Sequence, residues 1–263
     1  MELSIQVSLS GLSFCILDTA HDKILELGST EFPQAVTPDI QLRRLRELLD
    51  TEVFEQYSFR DIRVIHENEL SSFVPRSLFN ESQLPDYLKY NVKILENDFI
   101  NYDEIKSHDM VNVYIPFTHI NNYLFESFGS FEYKHASTVL VETLINKSRN
   151  GIDKKVFINI SKNHFEIVVT HQKQLLLYNQ YHYQTAADFI YYLMFTIEQL
   201  QLNPELTDVI LLGNTDRDDE LYKYAYKYIR NVHIGNNFNP YKVGKQAREH
   251  YADHKNLILL NSF

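Results

Sequence analysis

Four carboxylates within five residues, Asp216-Arg217-Asp218-Asp219-Glu220, form the densest acidic cluster of the chain. Oxygen ligands at that density could hold a divalent cation. The cluster follows a strand-like run, Thr207 to Leu212, and open α/β sheets place ligands beyond strand ends. A plainer role fits the same residues. Thr215 or Asp216 would cap the next helix, and carboxylates in its first turn complement the helix dipole. The capping role is the expectation. Aspartyl-phosphate chemistry is excluded, because the aspartate is displaced from the strand end and no D-x-T pattern follows.

His250 and His254 lie four apart and would share one helical face as a metal pair. No glutamate completes an H-E-x-x-H motif, and Pro240 and Gly244 nearby work against a helix. Two histidines alone do not make a site. Tyr178, Tyr181, His182 and Tyr183 gather rings at the end of a strand, either as a ligand platform or as alternate rings packed in the core and over a sheet face. Tyr222, Tyr224, Tyr226 and Tyr228 alternate within a helical stretch, so they fan over two faces and suit packing or a contact surface. Cys15, between Phe14 and Ile16, reads as a buried, inert thiol. Arg43-Arg44-Leu45-Arg46, followed by Glu47, is the one basic concentration and reads as a solvated helix face, with a docking patch as the alternative.

The 263 residues include only 7 glycines, 1 cysteine and no tryptophan. No two glycines lie within five positions of each other, so a P-loop, a G-x-G-x-x-G fingerprint and a G-x-S-x-G elbow cannot be written. One cysteine excludes a disulfide framework and multi-cysteine metal sites. A net charge of −10 argues against nonspecific nucleic-acid binding. No apolar run approaches a membrane span, and the start Met1-Glu2-Leu3-Ser4-Ile5 lacks the basic and apolar regions of a signal peptide. A cytoplasmic location is the expectation.

The elements that must position these residues occur twice. Leu3, Ile5, Val7 and Leu9 alternate with Ser4, Gln6, Ser8 and Ser10, the mark of a strand with one polar face. Gly11 turns the chain into a second strand, Leu12 to Asp18, and a third runs from Lys23 to Thr30. Thr37-Pro38 starts a helix continued by Ile40, Leu42, Leu45, Leu48, Leu49 and Val53. A strand follows from Ile62 to His66. In the second half, strands are predicted over 155–161, 164–170 and 174–183. Thr185 with Asp188 resembles a capping box opening a helix through Leu200. Strand Thr207–Leu212, a helix over about 218–229 and strand 231–234 complete it. Between the copies lie a loop with Pro75 and Pro85, strands over 102–107 and 110–116, and helices over about 118–128 and 136–147. Asn146 to Asp153, with Gly151, reads as the linker, giving domains 1–150 and 151–263.

Two halves, each a three-stranded antiparallel meander leading into a helix and parallel strands, resemble the actin-like ATPase superfamily, with a duplicated ribonuclease H-like α/β fold. The FtsA-like and PilM-like members are the most similar, and the whole chain also resembles a family of Bacteroidota proteins of unknown function. The resemblance implies ATP bound between the halves. A D-x-G type turn in each meander would hold the phosphates, carboxylates would hold Mg²⁺ through water, and a glycine pair after a strand would meet the adenosine. Here the first turn, Val7-Ser8-Leu9-Ser10-Gly11-Leu12, has one glycine and no carboxylate. The second, Asn159-Ile160-Ser161-Lys162-Asn163-His164, has Asn159 at the aspartate position and no glycine. The adenosine position, Leu211-Leu212-Gly213-Asn214-Thr215, keeps one glycine. Replacing Asp by Asn removes the charge that attracts the metal, and bulky turn residues obstruct backbone approach to phosphate.

The expectation is therefore a non-catalytic cytoplasmic scaffold or partner-binding protein, plausibly a homodimer, with no catalytic residues, no metal ligands and no cofactor. The alternative is a divergent nucleotide-binding protein or ATPase with a remodelled site, using ATP and Mg²⁺. In that version Ser8, Ser10, Gly11, Ser161, Lys162 and Asn163 line the phosphates and Gly213 abuts the base. A small-molecule sensor using the same cleft is a third option.

Overall fold

The computed structural model describes residues 1–148 and 153–263. Two compact units emerge. The first comprises Met1–Val139, Pro240–Tyr251 and Ile258–Phe263, and the second Leu140–Asn239 and Ala252–Leu257. The boundary expected at 150/151, and residues 149–152 of the linker expected over 146–153, lie outside the described residues, while 146–148 belong to a helix.

In the first unit, β1 (Glu2–Val7), β2 (Gly11–Asp18) and β3 (Lys23–Glu31) form the expected meander. Helix α1 (Pro38–Leu49) starts with proline in its first turn, where a missing N–H is no loss. It stops earlier than the apolar spacing suggests. Thr51 Oγ1 donates to the Leu48 carbonyl at 2.8 Å, a local bond that competes with the helix. Val53 falls in a separate turn, α2 (Glu52–Glu55). Strand β4 (Asp61–His66) then pairs parallel to β1.

The loop expected around Pro75 and Pro85 contains a strand and a helix, and the two strands expected after it form as read, together making an inserted subdomain. Strand β5 (Ser71–Pro75), helix α3 (Leu84–Leu88), β6 (Asn101–Ile105) and β7 (Met110–Tyr114) make a three-stranded antiparallel sheet in the order β5-β7-β6. Pro75 ends the edge strand and Pro85 lies in the first turn of α3, both positions where proline is tolerated. Val74, Leu88, Val111, Val113 and Ile115 form its core. Helix α4 (Thr118–Phe128), strand β8 (Glu132–His135) and helix α5 (Ala136–Ser148) follow.

Strand β9 (Lys154–Ile160), β10 (His164–His171) and β11 (Gln174–His182) repeat the meander in the second unit. Helix α6 (Ala186–Gln199) carries the predicted capping box. Thr185 Oγ1 accepts from the Asp188 N–H, and the Asp188 carboxylate accepts from the Thr185 N–H. Strand β12 (Asp208–Gly213), helix α7 (Glu220–Tyr228) and β13 (Asn231–Ile234) complete the unit, and β14 (Lys242–Val243) pairs parallel to β3 in the first.

The two large sheets have equivalent topology: β14-β3-β2-β1-β4-β8 and β11-β10-β9-β12-β13. In each, an antiparallel meander continues into two parallel strands. Alternation decides the packing. Leu3, Ile5, Val7, Leu12 and Ile16 face α1 and α4 in one core. Cys15, Leu17, Ile24 and Leu27 face Ala247, Leu259 and Leu260 in another. The polar face of β1 is thus covered: Ser4 is fully buried, and Ser262 Oγ donates to its hydroxyl at 2.7 Å. In the second unit, Val156, Ile158, Phe165 and Ile167 pack against Phe189, Leu193 and Ala225 of α6 and α7.

Candidate functional site

The first meander turn brings Ser8, Ser10 and Gly11 together, and its polar groups are engaged with one another. Ser8 Oγ donates to the Gly11 carbonyl at 3.1 Å and accepts the Ser10 N–H at 3.2 Å. The Ser8 N–H donates to the same carbonyl, and the two hydroxyls are 3.0 Å apart. The carbonyls of Leu9 and Ser10 accept from Val36 and Phe32. Gly11 is explained by packing: a Cβ there would lie 2.8 Å from the Thr30 carbonyl oxygen of β3.

The second turn is also tied to the fold. The Ser161 N–H donates to the His164 carbonyl, the Tyr183 hydroxyl to the Ser161 carbonyl at 2.8 Å, and the Tyr183 N–H to Asn163. Lys162 and Asn163 are exposed. Asn159, at the aspartate position of the resemblance, is buried and donates Nδ2–H to Glu166 Oε2 at 2.7 Å. Tyr178 donates its hydroxyl to Oε1 of the same buried carboxylate. One strand pair away from the missing aspartate there is thus a carboxylate, held by an amide and a phenol. The sequence pattern does not single out Glu166, because it sits among the apolar residues of β10.

Gly213 joins this turn. Its φ of +76° lies in the left-handed region that favours glycine, and a Cβ would collide with the Ile160 carbonyl oxygen. The Gly213 N–H donates to the His254 carbonyl at 2.8 Å, and the Asn214 N–H to Ile160. Thr215 is buried, and its hydroxyl has no partner among the described residues. Ser161, Lys162, Asn163 and Gly213 therefore lie in one region of the second unit, while Ser8, Ser10 and Gly11 lie in one turn of the first.

The acidic cluster splits by role. Asp216 pairs with Lys255 at 2.7 Å, and the Lys255 hydrogen bond holds its carboxyl below the usual range. Helix α7 begins at Glu220, so its cap is Asp219, which accepts the Leu221 N–H, rather than Thr215 or Asp216. No helix spans His250 and His254; a short 3₁₀ turn ends at Glu249, and His254 Nε2–H donates to the Thr215 carbonyl. Among the described residues, no group of three or more His, Cys, Asp or Glu converges as metal ligands. Tyr181 stacks on Tyr192 at 4.5 Å, so that ring packs. Cys15 is fully buried, which pushes its thiol up to about 12. Arg43 and Arg44 pair with Glu47, and Arg46 lies over the Tyr123 ring.

A further buried network lies at the ends of the parallel strands β4 and β8. His66 and His135 are register partners, both 1% exposed or less. His66 Nδ1 accepts the Phe117 N–H, so its Nε2–H donates to Asn121 Oδ1 at 2.9 Å. His135 Nδ1 accepts the Ser137 N–H and lies 2.7 Å from Ser137 Oγ. Asp103 accepts from the Tyr114 and Thr138 hydroxyls and the His135 N–H, beside the N-terminus of α5. Burial raises its pKa, and those hydrogen bonds oppose the rise.

The Ser137–His135 pair has the spacing of a nucleophile and its base. Burial lowers the His135 pKa to about 3, and that of His66 to about 4. A general base works best near the operating pH. His135 is far too weak a base, and Ser137 is sealed from water. The network fixes the β8–α5 junction. Sequence reading missed it because β8 is four residues long and its pairing partner lies 69 positions earlier.

Known proteins give the frame for these observations. A family model described as protein of unknown function (DUF3822) matches residues 1–232. A Bacteroides thetaiotaomicron protein with actin-like ATPase fold and unknown function is 26% identical, covering 89% of this chain and 90% of that one, with TM-score 0.80. The PilM–PilN type IV pilus biogenesis complex matches with 12% identity, 99% and 97% coverage and TM-score 0.67. The ethanolamine utilization protein EutJ from Carboxydothermus hydrogenoformans matches at 8% identity, 98% and 86% coverage and TM-score 0.50. These last two speak to fold alone. No curated protein matches the chain. Among the described residues, no helix is long and apolar enough to cross a membrane. The duplicated sheets are those of the actin-like fold, and the chain belongs to the DUF3822 family of proteins of unknown function.

Proposed function

We propose that this protein is a non-catalytic, partner-binding member of the actin-like fold, a cytoplasmic bacterial scaffold rather than an ATPase. One observation carries the reading: several N–H groups of the meander turns are engaged by the fold itself. The Ser8, Ser10 and Ser161 N–H groups are donated inward, and so is the Gly213 N–H. Phosphate binding by a turn needs such N–H groups directed at the ligand. Asn159 is a neutral amide bonded to Glu166, so the carboxylate expected to attract Mg²⁺ through water is replaced. The PilM neighbour, solved in complex with PilN, lends support to a role in protein contacts.

The test is equilibrium unfolding with and without millimolar ATP or ADP and Mg²⁺. A ligand at about a hundred times its dissociation constant adds about 2.7 kcal/mol. The expected result is no change. A clear stabilisation that disappears in Lys162→Ala favours the divergent nucleotide-binding alternative and overturns this proposal.

A further inference from the structure

Helix α6 is apolar on more of its circumference than the core uses. Phe189, Leu193 and Ile197 face inward, yet Tyr191 and Phe195 are 63% and 45% exposed. Together with Ile190 and Met194 they line a groove of about 300 Å³, with Tyr228 of α7 and Glu198 completing it. The aromatic wall is prearranged. Tyr191 and Phe195 stack with centroids 6.4 Å apart, and Tyr191 meets Tyr192 edge-on at 5.3 Å. Exposed apolar patches of this kind mark binding surfaces, and Tyr and Met are enriched where partners dock.

Charge selects the occupant. Glu198 is the one charged residue among those lining the groove, its carboxylate has no hydrogen bond or ion pair among the described residues, and the cation beside the groove, Lys227, lies over the Tyr228 ring at 5.6 Å. The chain carries a net charge of −10. A second copy seated here would bring two such carboxylates and two acidic surfaces together. A cationic partner is instead attracted at long range and neutralises Glu198 on arrival.

We propose that the α6–α7 groove docks an amphipathic, basic helix of a partner protein. Apolar residues of that helix, spaced three and four apart, seat on Tyr191, Met194, Phe195 and Tyr228, and a lysine or arginine meets Glu198. This rests on the partner-binding reading above and names the surface and the chemistry of the partner.

The test uses the full chain and two labelled helical peptides with the same leucine stripe, one with lysines and one with glutamates on the polar face, read by fluorescence anisotropy. The Leu–Lys peptide is expected to bind saturably and at least tenfold tighter than the Leu–Glu peptide. Glu198→Lys narrows that difference by weakening Leu–Lys binding. Phe195→Asp weakens Leu–Lys binding at least tenfold although it adds negative charge, which separates groove docking from general attraction to an acidic protein. Tyr191→Gln serves as the second variant if circular dichroism shows Phe195→Asp misfolded. Unchanged Leu–Lys binding in the folded groove variants overturns the proposal, as does absence of saturable binding. A concentration-dependent dimer abolished by the groove variants overturns it in favour of a second copy. No nucleotide is present, so a saturable ATP signal with normal peptide binding defeats only the non-catalytic reading, and lost peptide binding without an ATP signal defeats only this one.

Discussion

Acidification from pH 7.5 to 5 removes stability from the first unit through His66 and His135. Both imidazoles are neutral in the fold and each accepts a peptide N–H at Nδ1. Protonation breaks that bond and buries a charge. Burial lowers the pKa from 6.5 to about 4 for His66 and about 3 for His135. A histidine with a lowered folded pKa contributes stability that is fully present above the unfolded value. It is lost as pH falls from 6.5 toward about 4 for the one and about 3 for the other. At pH 5 the unfolded state lies 1.5 pH below its own titration point while the folded imidazoles remain neutral. The loss is therefore about 2 kcal/mol for each, about 4 kcal/mol together, and insensitive to how low the folded values lie. Asp103 acts in the opposite sense, because its raised pKa means that acidification relieves a burial penalty. Urea unfolding followed by far-ultraviolet circular dichroism suits a chain without tryptophan. His66→Gln should lower stability at pH 7.5 yet reduce the acid-induced loss by about 2 kcal/mol. An identical acid loss in the variant refutes the assignment.

Gly213→Ala should destabilise by about 2–4 kcal/mol in equilibrium unfolding, since it combines a left-handed φ with a clash on the Ile160 carbonyl. Asn159→Asp should set two buried carboxylates against each other, lowering stability at neutral pH by about 2–4 kcal/mol. The pair then shares a proton, so its folded pKa rises above the unfolded range near about 4 and the loss diminishes on acidification; a loss equal at pH 7.5 and 5 counts against it. Cys15 should react with a maleimide only in denaturant, its thiol being buried and raised to about 12, and rapid native labelling contradicts its placement.

Local chemistry was legible in the sequence and long-range register was not. The Thr185–Asp188 capping box and the meander turns are written within a few residues of each other, and both form as read. Helix α1 ends early because Thr51 bonds back to Leu48, a competition that apolar spacing does not register. The cap of α7 is Asp219 because the helix begins at Glu220, later than the sequence pattern places it. Pro75 pointed to a loop, yet it closes an edge strand. For the candidate site, the sequence identified which turns lacked glycine and carboxylate. It could not show that Gly11 answers to Thr30 and Gly213 to Ile160, because those contacts depend on strand pairing. Glu166 and the His66–His135 pair were invisible for the same reason.

Calorimetric titration of Mg²⁺–ATP into the full chain tests the central claim most directly, because it reads binding whether or not turnover follows. With the Ser8, Ser10, Ser161 and Gly213 N–H groups engaged by the fold, no saturable heat is predicted at millimolar nucleotide. Saturable one-site binding that is abolished in Lys162→Ala would contradict the account.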